Sequence, residues 1–224
     1  MFIGHFAVGF AAKRVLPQAS LATLFAAVQL ADTLWPVFVA TGLEQVRIVP
    51  GDTPFTPLEF VSYPYSHSLL MLVGWGLGFG FIYTTLRRAT RRELLVMTAL
   101  VVSHWALDFF SHRPDLPLVP GGGPKFGLGL WYSIPATILV ETTMFVTAVA
   151  TYARATRARD AIGRWGLVAL VGLLAVAYVG NILGGAPPSV EAIWIAGLVG
   201  AAVTFALSWW ADSHREPAPA ALLR

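Results

Sequence analysis

Long apolar runs recur from the first residue of this chain to about Asp212, separated by short polar breaks. The breaks delimit seven helical segments, at about residues 2–16, 21–41, 66–86, 93–110, 130–152, 164–183 and 190–211. Six of them approach the roughly 20 residues that a bilayer span requires. The first, about 15 residues at 1.5 Å each, reaches about 22 Å of a roughly 30 Å hydrocarbon core. It is therefore tilted, re-entrant or short of one surface. The pattern predicts an all-α polytopic membrane helix bundle, with about six full spans plus a short N-terminal helix. That domain covers residues 1–211, and residues 212–224 form a polar cytoplasmic tail. Gly4, Gly9, Gly74, Gly76, Gly78 and Gly80 fall within spans, where small residues let helices approach closely.

Composition agrees with this reading. The chain is 56% hydrophobic and 12% charged, about half the charged fraction of a soluble domain. Lys13, Arg14, Arg87, Arg88, Arg91, Arg92, Arg154, Arg157, Arg159, Arg164, Arg215 and Arg224 all fall on one side of a seven-helix count. Only Arg47, Arg113 and Lys125 fall on the other. The positive-inside rule puts the larger group in the cytoplasm, so the N-terminus and the loops after the second, fourth and sixth helices face outward. This asymmetry accounts for a pI near 9.5 without a nucleic-acid partner. Nothing at the N-terminus reads as a cleavable signal, because Lys13 and Arg14 follow the apolar stretch instead of preceding it. With no cysteine, thiolate ligands and disulfides are excluded.

Against this apolar background seven ionisable residues stand out: His5, Asp32, His67, His104, Asp108, His112 and Glu141. Such groups are costly in hydrocarbon and mark functional sites by default. On the assigned topology six of them lie in the outer half of the membrane and Glu141 lies at its floor. Taken singly, each also fits a side chain that hydrogen-bonds a neighbouring helix. Three carboxylates in one leaflet with no intramembrane Lys or Arg are harder to explain, because they repel one another or must take protons. A cation from outside the sequence resolves this. Histidine and carboxylate donors converging at one depth have the composition of a metal centre, open to Zn, Mn, Fe or Ni. His104 and Asp108 are one turn apart on one helix face, so both can reach one ion or two bridged ions. His112 joins them only if the helix ends there, and Pro114 is a reason for it to end.

The connection after the fourth helix is rich in Pro and Gly, which predicts turns without helix or strand. It hangs above the proposed site, where Arg113, Lys125 and His112 are candidates to meet an anionic headgroup. Arg113 and Lys125 also fit side chains that snorkel to lipid phosphates. Pro50, Pro54, Pro57 and Pro64 mark a second loop that could cap the same site. Tyr63, Tyr65, Trp105, Trp131 and Tyr132 read first as interface-belt aromatics. His214 falls in the polar tail and is expected to be solvated.

Gly4-His5, Asp32, Tyr65-Ser66-His67-Ser68-Leu69, and His104 followed by Asp108 resemble the bacterial inner-membrane metal-dependent hydrolase family. The run His112, Arg113, Pro114, Asp115, Leu116, Pro117 and then Gly127, Leu128, Gly129, Leu130, Trp131 is similar to one branch of it. The resemblance covers about residues 1–150. One departure is that Ser62-Tyr63-Pro64-Tyr65-Ser66 stands where the common form carries a His-Arg-Gly stretch. A fainter resemblance, in the order His, Asp, His, His-x-x-x-Asp and a later Glu, is to the zinc-dependent phospholipase C and single-strand nuclease superfamily. It implies His5, Asp32, His67, His104, Asp108 and Glu141 as ligands of one or more divalent ions, with zinc as the metal. It also implies Asp32 or Asp108 as the catalytic carboxylate orienting a water for attack at phosphorus.

Two functions follow. One is a metal-dependent hydrolase of a lipid or lipid-linked phosphoester or ester, reached from the outer leaflet of a bacterial inner membrane. The other is a proton- or cation-coupled transporter, which requires polar residues through both leaflets. A ceramidase-type zinc hydrolase is also seven-helical, but its pattern has an H-x-x-x-H in the last helix, and this chain has no histidine there.

Overall fold

A computed structural model describes residues 1–218. It is a helical bundle in which five helices are long and apolar enough to cross a membrane: α5 (Leu69–Arg87), α6 (Arg91–Ser111), α7 (Ile134–Ala155), α8 (Ala161–Leu183) and α9 (Val190–Ser213). Two shorter helices, α2 (Leu21–Val28) and α3 (Leu30–Ala40), meet at a 58° bend and are together long and apolar enough for either one broken span or a re-entrant pair. Large side chains such as Phe81, Leu139, Val176 and Leu183 are exposed on the outer faces of the spans. That distribution suits helices solvated by lipid, and the protein is a multi-pass membrane protein.

The short first helix, α1 (Ile3–Ala12), is the centre of the bundle. At ten residues it is about 15 Å long, and eight of those residues are buried. Its brevity is that of an interior element packed on α2, α6, α7 and α8. Phe10 contacts the rings of Phe25, Phe145 and Tyr152 at 4.9–5.8 Å. Phe6 meets Phe25 at 5.0 Å, so α1 is surrounded by an aromatic plug. Gly9 admits this packing, since a Cβ there would meet Phe25 at 2.6 Å. Gly76 and Gly80 do the same for the α5–α6 crossing, where a Cβ would meet the carbonyl oxygens of Thr98 and Leu94 at 3.0 and 2.8 Å.

The connections are more ordered than the sequence suggests. Between α3 and α5 lie an antiparallel hairpin, β1 (Gln45–Ile48) and β2 (Leu58–Ser62), and a four-residue helix, α4 (Pro64–His67). The Pro- and Gly-rich connection after α6, expected to lack strand, pairs β3 (Leu116–Pro117) with β4 (Lys125–Phe126). The third helix of the sequence reading is interrupted by Ser68, whose extended backbone separates α4 from α5 and whose hydroxyl caps α5. At the opposite end, β5 (Thr156–Ala158) pairs with β6 (Arg215–Pro217), so the chain after α9 folds back on the bundle. His214, expected to be solvated, bonds Asp160 at 2.7 Å. Residues 219–224 lie outside the described residues.

The basic end of the bundle holds a buried ion pair of its own. Lys13 Nζ lies 2.8 Å from Asp212 Oδ2, and both side chains are 7% exposed. Asp212, placed by sequence in a polar tail, also accepts from Leu21 N at 2.9 Å and the Tyr152 hydroxyl at 2.6 Å.

The ends of the bundle are chemically distinct. Residues 41–63 and 112–133 lie at one end, and the α5–α6 turn and the β5–β6 pair lie at the other. Cysteines introduced at Leu43 and Arg92, both exposed, are expected to react with a membrane-impermeant maleimide from opposite faces of the membrane. Labelling of both from one face would break the assigned topology.

Candidate metal centre

The break between α2 and α3 builds the floor of the site. Because α2 stops at Val28, that residue's carbonyl is available to His104 Nδ1, 2.8 Å away. A carbonyl can only accept, so His104 donates from Nδ1 and turns Nε2 inward. Restarting the helix at Leu30 places Asp32 in the first turn of α3, where the helix dipole favours a carboxylate. His67 ends α4. Its Nδ1 lies 2.7 Å from Ser66 Oγ, whose single proton goes to Glu44 Oε2 at 2.6 Å. His67 must therefore donate from Nδ1 and also present Nε2 inward. Glu44, 1% exposed, accepts from the backbone N–H groups of Tyr65 and Ser66 at 2.8 Å as well, which fixes the whole turn.

Four donor atoms thus face one another. His67 Nε2 and His104 Nε2 lie 3.4 and 3.5 Å from Asp32 Oδ1, and 3.8 and 3.2 Å from Asp108 Oδ2. Bonds of about 2.0–2.1 Å to zinc in a tetrahedral shell put ligand atoms about 3.3–3.4 Å apart. The observed separations bracket that value. His104 Nε2 has no hydrogen-bond partner although it is fully buried. A neutral imidazole there aims a lone pair at a carboxylate, which is repulsive, and a bound cation relieves it. The residues fit a divalent ion, and they form two overlapping three-residue sets: Asp32, His67 and His104, and His5, His104 and Asp108.

His5 stacks on His104 with centroids 3.7 Å apart and planes within 2°. Its Nε2 is 3.0 Å from Asp108 Oδ1. The Met1 ammonium also lies against Asp108 Oδ1 and donates to Ser111 Oγ at 3.0 Å, so a positive charge already sits beside this carboxylate. Glu141, expected as a ligand, belongs to neither set. Its Oε2 accepts from Phe2 N at 2.9 Å and Gly4 N at 3.1 Å, which satisfies the start of α1 where Phe2 offers no side-chain cap. Its Oε1 is buried without a hydrogen-bond partner.

The loop residues divide. α6 ends at Ser111, as Pro114 suggested, and His112 is turned into the cluster with its Nε2 3.7 Å from Asp108 Oδ2. Arg113 is engaged by Asp52, by Asp115 at 3.2 Å and by Glu59 at 3.8 Å, so its charge is matched within the protein. Lys125 is exposed on β4, with no carboxylate paired to it among the described residues. Asp32 is the accessible member of the cluster, its side chain 42% exposed against 4% or less for its histidine and Asp108 neighbours.

Comparisons with protein families, curated proteins and solved structures find no match. Glu44, Tyr63 and Asp115 were missed by sequence because they lie in loops, where a polar residue is ordinary. The one local signal was Asp115 in the His-Arg-Pro-Asp run.

Proposed function

We propose that this protein is a membrane-embedded metal-dependent hydrolase. Its substrate is a lipid or lipid-linked ester or phosphoester reached from the outer face of a bacterial inner membrane. The observation that carries the reading is the convergence of His67 Nε2 and His104 Nε2 on Asp32 Oδ1 and Asp108 Oδ2 at 3.2–3.8 Å, with both Nδ1 protons directed away. Asp32, His67, His104, Asp108 and His5 would hold the ion, zinc being the metal implied by the ligand order. A divalent ion there supplies Lewis-acid polarisation and acidifies a water at neutral pH.

The chain's own groups divide the remaining work. Asp108 is buried, and both of its oxygens have cluster neighbours, so it anchors. Asp32 faces the histidines through Oδ1 and stands at the open side, which suits it to take a proton from the attacking water. Lys125 is available for an anionic headgroup. Trp131, Phe60 and Tyr63 pack around the His112 ring beside the centre.

The aromatic plug around Phe10 argues against transport, because it separates this centre from the Lys13–Asp212 pair at the other end. The test is to incubate protein purified without chelator in liposomes of bacterial lipid extract, following released headgroups by mass spectrometry. Headgroup release that stops with chelator and returns with zinc is expected. Metal- or proton-coupled flux without lipid turnover would replace the hydrolase with a transporter.

A further inference from the structure

His112 is held as though for a purpose beyond packing. Its backbone is fixed on both sides, its N–H donating to Asp108 O at 2.8 Å and its carbonyl accepting from Gly129 N at 2.7 Å. Gly127 lets that strand pass close, since a Cβ there would collide with the carbonyls of His112 and Arg113. The ring is 3% exposed and lies between Trp131 and Phe60, with centroids at 4.2 and 5.0 Å.

The proton on that ring can be located. Asp115 Oδ1 accepts from the Tyr63 hydroxyl at 2.6 Å and lies 3.1 Å from His112 Nδ1, while Asp115 Oδ2 accepts from Arg113 Nε at 3.2 Å. With both Asp115 oxygens accepting from Tyr63 and Arg113, the contact to His112 is one in which Nδ1 donates. The Nε2 lone pair then faces Asp108 Oδ2, the atom on which His104 and His67 also converge. An imidazole whose outer nitrogen is fixed by a carboxylate is the usual support for a metal-ligating histidine.

We propose that His112 is a further ligand of the centre through Nε2, with Asp115, Tyr63 and Arg113 as its positioning residues. This rests on the metal reading above, and of the two roles the sequence left open for His112, ligand or headgroup contact, it takes the first. It also gives the loop after α6 a function. Arg113 ties Asp115 to Asp52 and Glu59, so the β1–β2 hairpin is linked through that arm to the ion.

The experiment uses full-length protein in detergent, stripped and titrated with Zn(II), with imidazole ligation counted by X-ray absorption. Stoichiometric zinc in the wild type tests the metal reading itself, and its absence removes both proposals. His112→Ala is expected to weaken zinc binding by about 10–100-fold or more and to lower the imidazole count by one. Asp115→Asn keeps every ring but can offer an amide N–H to Nδ1, which reverses the tautomer. It is expected to weaken binding about 10–100-fold, and it carries the test even if the alanine variant fails to fold. Zinc affinity and imidazole count at wild-type values in Asp115→Asn, or in folded His112→Ala, would overturn the proposal. So would a variant that alters only KM for substrate.

Discussion

His104→Ala is expected to leave the protein with less than about a tenth of its bound metal after purification, by elemental analysis of the metal-to-protein ratio. The residue belongs to both three-residue sets, so its loss reduces each to a pair of donors. Replacing a residue that only supports a ligand already costs about 10–100-fold in affinity, and removing a shared ligand costs at least that. The substitution also leaves the Val28 carbonyl without its donor, worth about 1–3 kcal/mol. Monodisperse elution and an unchanged helical spectrum must therefore accompany the metal measurement. Asp108→Asn is expected to act similarly, because Asp108 offers one oxygen to His5 and the other to His104. His214→Ala, which loses only a bond to Asp160 at the far end, should retain full metal. Full occupancy in folded His104→Ala would make these histidines structural, joining helices by hydrogen bonds alone.

The spans were legible because hydrocarbon imposes a length and a composition on any helix that crosses it. His5, Asp32, His67, His104 and Asp108 were legible for the complementary reason, that an ionisable group inside such a stretch needs a partner. The same criterion could not separate Glu141 from them. Whether a buried carboxylate meets an ion or the first N–H groups of a neighbouring helix depends on where α1 begins relative to α7, which is a tertiary fact. The bend at Gln29 was illegible for a related reason. No Pro or Gly marks it, and it is held by the use that His104 makes of the Val28 carbonyl. Glu44, Tyr63 and Asp115 were hidden by their loops. Sequence gives such residues no reason to be buried, yet the hairpin and the β3–β4 pair fold over the site and enclose them.

Lys13→Met is expected to be the most destabilising single change, at about 3–5 kcal/mol. Removing the ammonium leaves the Asp212 carboxylate buried with only Leu21 N and the Tyr152 hydroxyl as donors. Those two hydrogen bonds offset part of the cost of an unpaired charge but do not neutralise it. The Ala19 carbonyl, which accepts from Lys13 at 2.8 Å, loses its donor as well. Asp212 gathers the turn after α1, the start of α2 and the side of α7 onto the end of α9, so the loss should loosen four elements together. In the double variant Lys13→Met with Asp212→Leu the uncompensated charge disappears, so its loss of stability should be smaller than the sum of the two single losses. Full recovery is not expected, since the Tyr152 hydroxyl and Leu21 N then lack an acceptor, at about 1–3 kcal/mol each. Thermal unfolding of the two single variants, the double variant and the wild type in one detergent gives the coupling directly. A coupling of several kcal/mol is expected, and strictly additive effects would mean that the pair contributes nothing as a pair. Folded fractions of all four chains should hold the same metal, because the ion pair and the His/Asp centre lie at opposite ends of α1.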